Sequence, residues 1–210
     1  MTSARLPLVL ALTHAPSPLW FFARASGFVS LILLTLTVGL GLALALRWRS
    51  PRWPLFISDG LHRYLGTVFF VFLTIHVVTL WLDPFAKFSL ADVLVPFRSS
   101  YRPLWMGLGI CAAELSLALA LSVHLRRWIG YRAWRVMHYG TYATFPVALM
   151  HGLGSGSDGR TWWGLAVYAV CGITIGGLAL ARLAGRAPAA SDRTAQPRAD
   201  ALRLDSRPSS

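Results

Sequence analysis

Four of the six histidines fall into two pairs with matched spacing. His62 and His76 stand fourteen residues apart, and His138 and His151 thirteen apart. Neutral imidazole is a common metal ligand, and its other ring nitrogen can donate a hydrogen bond that fixes which nitrogen binds. His14 and His124 belong to no such spacing. The chemistry on offer is therefore coordination by paired imidazoles, provided the chain brings one pair level with the other.

The segments that must position them are oily. Residues 61 to 78 read LHRYLGTVFFVFLTIHVV, an apolar run interrupted by its two histidines. Overall 55% of the 210 residues are hydrophobic and 13% charged. Runs of about 20 apolar residues cross a bilayer core, and five segments qualify: Ala25–Leu46, Tyr64–Leu82, Pro103–Leu125, Val136–Leu153 and Thr161–Ala181. They are too long and too evenly apolar for barrel strands. The expected fold is an all-α membrane bundle of about five transmembrane helices, since lipid tolerates only helices and closed barrels. Residues 1–17 read as a short outer segment and 18–184 as the membrane domain. Residues 185–210, rich in Ala, Pro, Ser and Arg, read as a disordered tail with too little apolar surface to order itself.

The net charge of +12 is a topology signal and does not indicate nucleic-acid binding. Arg47, Arg49, Arg52 and Arg63 flank one connection, Arg126, Arg127, Arg132 and Arg135 the next but one, and Arg182 and Arg186 follow the last span. The alternate connections mix basic residues with Asp83, Asp92 and Asp158. By the positive-inside rule the N-terminus lies outside and the C-terminus in the cytoplasm, as in a plasma-membrane protein. Cys111 and Cys171 fall within spans, which argues against a structural disulfide, and no C-x-x-C-H motif attaches a haem covalently.

Topology then pairs the histidines. The second and fourth spans run in the same direction, so His62 comes level with His138 on the cytoplasmic side and His76 with His151 on the outer side. Fourteen residues of helix rise about 21 Å and return to within about 40° of one face. Two level pairs are what two non-covalent bis-histidine haems between the second and fourth spans require. Thirteen residues rotate about 220°, so His138 and His151 need a kink at Pro146 or a frayed end near His151. Arg24, Arg63 and Arg135 are candidate propionate partners, and each also reads as an interface anchor. Gly66 and Gly140 would let a flat macrocycle approach, and helix packing explains them equally. Glu114, the sole acid within a span, is either protonated between helices or a redox or proton group. The segment Pro84–Arg102 is either a surface-lying stretch or a plain loop.

The segments HRYLG, WRVMHYGTYATFPVALMH, FARASGFVSLILLTLTVGLGLAL, YRPLWMGLGI and LRRWIGYRAWRVMH together resemble the ferric reductase-like transmembrane domain, over about Phe22 to Asp158. That family includes ferric-chelate reductases, NADPH oxidase membrane domains and the haem-binding subunit of a methionine sulfoxide reductase system. The resemblance implies that His62, His76, His138 and His151 are axial ligands of stacked b-type haems. The sulfoxide reductase subunit is similar through the last three but has a basic residue in place of His62, so His62 implies the two-haem arrangement. Ferric-chelate reductases and NADPH oxidases carry a flavin and nicotinamide domain after the last helix; here a short tail follows, without a G-x-G-x-x-G turn. The expectation is a cytochrome fed from the cytoplasm by a separate flavoprotein, reduced flavin or quinol. Its acceptor on the outer face is ferric iron, oxygen or a partner oxidoreductase. Two alternatives stay open: a non-catalytic haem anchor of a quinol-linked or sulfoxide reductase-type complex, and a haem-free transporter.

Overall fold

The computed structural model describes residues 17–46 and 55–185. The expected outer segment, apart from Ser17, and the expected tail, apart from Gly185, lie outside the described residues. So do His14, Arg47, Arg49, Arg52 and Arg186. Among the described residues every regular element is helical: α1 (Pro18–Ala45), α2 (Leu55–Leu82), α3 (Leu90–Leu94), α4 (Pro103–His138), α5 (Thr141–Ser155), a 3₁₀ turn (Ser157–Arg160) and α6 (Trp162–Ala184).

Local chemistry sets the helix starts. Ser17 caps α1 by accepting from the Trp20 amide at 3.2 Å, with Pro18 behind it at the first position. The Ser17 hydroxyl also donates to buried Asp83, just past the end of α2, whose carboxylate accepts the Phe85 amide at 3.0 Å. The start of α1 is thereby tied to the end of α2. Thr161 caps α6 through the Gly164 amide at 3.2 Å. Ser89 and Asp92 form a reciprocal capping box on short α3.

The central element is α1, which packs along α2 on one side and against α5 and α6 on another. Leu31, Leu34, Val38 and Leu42 recur at helical spacing on its buried face. They form one core with Phe69 of α2, Phe145 of α5 and Tyr168, Cys171 and Ile175 of α6. The outward faces keep Val170, Ile173 and Leu180 exposed, as a lipid-facing surface requires. Both cysteines are free thiols.

Among the described residues four helices, α1, α2, α4 and α6, are long and apolar enough to cross a membrane. The expected fourth span is shorter than the sequence suggested. α4 changes direction at Gly130, whose φ of 80° and ψ of 157° are non-helical, and then continues to His138. Turn bonds from Tyr139 to Val136 and from Gly140 to Met137 end it there. α5 begins only at Thr141 and has 15 residues, so Val136 to His138 belong to the preceding helix. The basic cluster from Arg126 to Arg135 occupies the bent end of α4.

Candidate functional site

The structure brings the four histidines together as two pairs. The imidazoles of His62 and His138 have ring centroids 6.4 Å apart at an interplanar angle of 72°. Those of His76 and His151 lie 6.3 Å apart at 78°. Lower residue number pairs with lower at one end and higher with higher at the other, so α2 and α5 run parallel. Among the described residues α2 packs extensively on α1 alone and touches α3 near its end. Imidazoles face each other at two levels, His76 and His151 across the cavity between α2 and α5 and His62 and His138 across α2 and the end of α4.

The break at Tyr139–Gly140 resolves the thirteen-residue mismatch. His138 ends α4 and His151 lies within α5, so the two sit on separate helical segments. Pro146 lies inside α5, and His151 is followed by helical residues through Ser155. The re-aiming is therefore the work of the turn before α5.

Three of the four rings are locked from behind. His76 donates through Nδ1 to the Ala23 carbonyl at 2.7 Å, and His62 to the Thr37 carbonyl at 3.0 Å, both on α1. His151 does the same to the Trp105 carbonyl of α4 at 2.8 Å, with the Ser155 hydroxyl 3.3 Å from the same nitrogen. A proton held on Nδ1 leaves the Nε2 lone pair free, the arrangement of a metal-ligating histidine.

Each of these carbonyls is followed four residues later by glycine. A β-carbon on Gly27 would stand 3.0 Å from the His76 ring and one on Gly41 3.3 Å from the His62 ring; one on Gly109 would overlap the His151 ring. The reason is geometric. A helical carbonyl at position i already accepts from the amide at i+4. Cβ atoms tilt toward the helix N-terminus, so a side chain at i+4 crowds the approach to that oxygen. Glycine leaves it open to a second donor. Sequence reasoning missed these residues and selected Gly66 and Gly140 instead. A β-carbon on Gly66 would meet only Thr37 at 3.9 Å, and Gly140 belongs to the turn before α5. A signal existed: Gly27 and Gly41 repeat the fourteen-residue interval of His62 and His76 on an adjacent, antiparallel helix.

Around His76 and His151 lies a cavity of about 1130 Å³, its open mouth included. Small residues of α4 (Gly109, Ala112, Ala113 and Ser116) line one wall, and Phe69 and Leu73 of α2 another. Arg24 lines it too, with its Nε 2.7 Å from Asp158 and a second guanidinium nitrogen paired to the same carboxylate. Asp158 as its partner was not anticipated from the sequence. Arg63 is exposed and makes a loose pair with Asp59 at 3.4 Å, and Arg135 is exposed. Glu114 is exposed on α4 and lies off the cavity, not held between helices. Residues 84–102 fold over the His76 end: Val93 lines the cavity, the Arg102 guanidinium donates to the Gly154 carbonyl at 2.5 Å, and Tyr101 reaches the Ser155 carbonyl at 3.4 Å. The segment is thus more than a plain loop: it carries the short helix α3 and leaves Leu90, Leu94, Val95 and Phe97 exposed.

No curated protein and no solved structure matches the chain. Residues 26–149 match the family described as the ferric reductase like transmembrane component, a stretch containing His62, His76 and His138 and ending two residues before His151. That stretch exceeds half of the chain and carries several of its apolar helices, so the protein is a multi-pass membrane protein belonging to the ferric reductase-like transmembrane family.

Proposed function

We propose that the protein is a transmembrane b-type cytochrome with one haem at each histidine pair. The carrying observation is the spacing of the pairs. Two imidazoles on opposite sides of one metal, each nitrogen about 2 Å from it, have ring centroids roughly 6 Å apart. The pairs stand at 6.4 and 6.3 Å. Among the described residues no group of three His, Cys, Asp or Glu side chains could hold a metal ion. Two protein ligands alone suit a metal whose remaining ligands arrive with a macrocycle, and the cavity between α2 and α5 suits a flat group.

Bound haem supplies one-electron chemistry, so two positions about 21 Å apart along α2 connect a donor on the cytoplasmic side with an acceptor on the outer face. The charge pattern supports placing the His62 end in the cytoplasm. The protein's own part is to hold and orient. His62, His76 and His151 keep a proton on Nδ1 through backbone carbonyls and present Nε2. Phe69, Leu73 and the small residues of α4 exclude water from the outer position. Arg24, paired to Asp158, supplies a positive group beside it for a propionate. Arg63 and Arg135 are partners of the same kind at the inner position. The donor is a separate flavoprotein, reduced flavin or quinol, and the acceptor ferric iron or a partner oxidoreductase at the face closed by residues 84–102.

The test is a reduced-minus-oxidised spectrum with haem stoichiometry after haem-replete expression. Two b-type haems in wild type falling to one in His76→Ala is the expected result. A preparation without a Soret band, or one whose haem content ignores the substitution, would overturn the reading.

A further inference from the structure

The four imidazoles are not equally supported. His62, His76 and His151 each have a carbonyl on Nδ1 and a glycine opening the approach. His138 has neither. Among the described residues its buried Nδ1 has no hydrogen-bond partner, and no glycine backs its ring. What it does touch is Trp134, one turn earlier, with ring centroids 5.1 Å apart at 24°. It is also the last residue of α4, at the Tyr139–Gly140 turn rather than inside a continuous helix.

These differences bear on ligand strength. A ligating histidine that donates its second N–H to a carbonyl is held in orientation and made more basic; losing such a partner typically weakens metal binding about 10- to 100-fold. When Nε2 of His138 ligates, Nδ1 must carry the proton, and that buried donor goes unsatisfied. A buried unpaired donor costs free energy that returns when the group reaches water or another partner. The same ring motion that relieves the donor withdraws the ligand.

Resting on the two-haem reading, we infer that His138 is the exchangeable ligand. On its side the inner position admits a small axial ligand of the class of carbon monoxide, nitric oxide or cyanide, while His62, His76 and His151 stay in place. The inner position is then a binding site for diatomic molecules as well as an electron relay, and the outer position is closed to them.

Carbon monoxide is the probe, added to dithionite-reduced full-length protein whose haem content has been measured first. The expected result is a Soret shift from one of the two haems, persisting in His76→Ala, which lacks the outer haem. His151→Ala serves the same purpose if His76→Ala does not assemble. Two bound haems with no shift would overturn the inference and leave the function intact. A shift that disappears with the outer haem would also overturn it. Protein without haem would remove the functional reading itself, so the two failures are distinguishable.

Discussion

The imidazole of His76 fills the space that a side chain on Gly27 would need: a β-carbon there would stand 3.0 Å from both Cε1 and Nδ1. The same contact recurs between His62 and Gly41, and more tightly between His151 and Gly109. Three helix-to-helix contacts of one design thus hold three imidazoles against backbone carbonyls.

Alanine at these glycines should displace the rings in order of crowding. Gly109→Ala should cost most, Gly27→Ala less, and Gly41→Ala least, where a few tenths of an ångström suffice. Haem affinity should fall by about 10- to 100-fold for the first, the range for losing a ligand's hydrogen-bond partner. Gly176→Ala, with open space around it, is the control. Haem retained per protein after dilution reads the series; equal retention in all four variants would discard the role of these glycines.

Arg24 and Asp158 neutralise one another beside the outer position. Asp158→Ala should remove a negative charge and raise the midpoint potential of the outer haem, because reduction adds negative charge. Arg24→Ala should leave the carboxylate and lower it. Each shift should be on the order of 1 kcal/mol or less, given partial exposure. Redox titration checks the signs, and shifts in one common direction would contradict the account.

On the two-haem reading, a bound group would hold α2 to α5. Little of the apolar length of α2 is buried in the protein, and α1 is its main helical neighbour. A ligand that bridges α2 to α5 stabilises the bridged state by mass action. Haem-depleted protein in detergent should show faster amide exchange in α2 and in the His151 end of α5, with the buried face of α1 unchanged. Identical exchange in depleted and loaded protein would count against the bridge.

The cap of α3 should respond to acid. The Ser89 hydroxyl, then its backbone amide, holds the Asp92 carboxyl below its ordinary 3.8. A depressed carboxyl contributes stability above its unfolded value and loses it as pH falls through the folded one. Amide exchange in residues 90–95 should therefore rise below about pH 4 in wild type. Asp92→Asn should exchange faster at neutral pH and show a smaller further rise on acidification. A wild-type profile flat down to pH 3 would refute the cap's role.

Much of the arrangement was legible in sequence because it rests on one-dimensional properties. Apolar run length marks helices for a membrane, and His62 and His76 share a face because fourteen residues make nearly whole turns. The parity of crossings pairs them with His138 and His151. The limits of the fourth span were less legible. Val136 to His138 are apolar or aromatic enough to extend it, and only the backbone turn at Tyr139–Gly140 assigns them to α4.

Run length, charge placement and histidine spacing are properties of the chain itself, and they sufficed for a helical membrane protein with two levels of paired imidazoles. The support behind those imidazoles belongs to tertiary structure. A backbone carbonyl has no signature in sequence, so Ala23, Thr37 and Trp105 become acceptors only when a neighbouring helix brings a ring to them. For the same reason the pairing of Arg24 with Asp158, 134 residues away, and the unsupported Nδ1 of His138 were decided by packing.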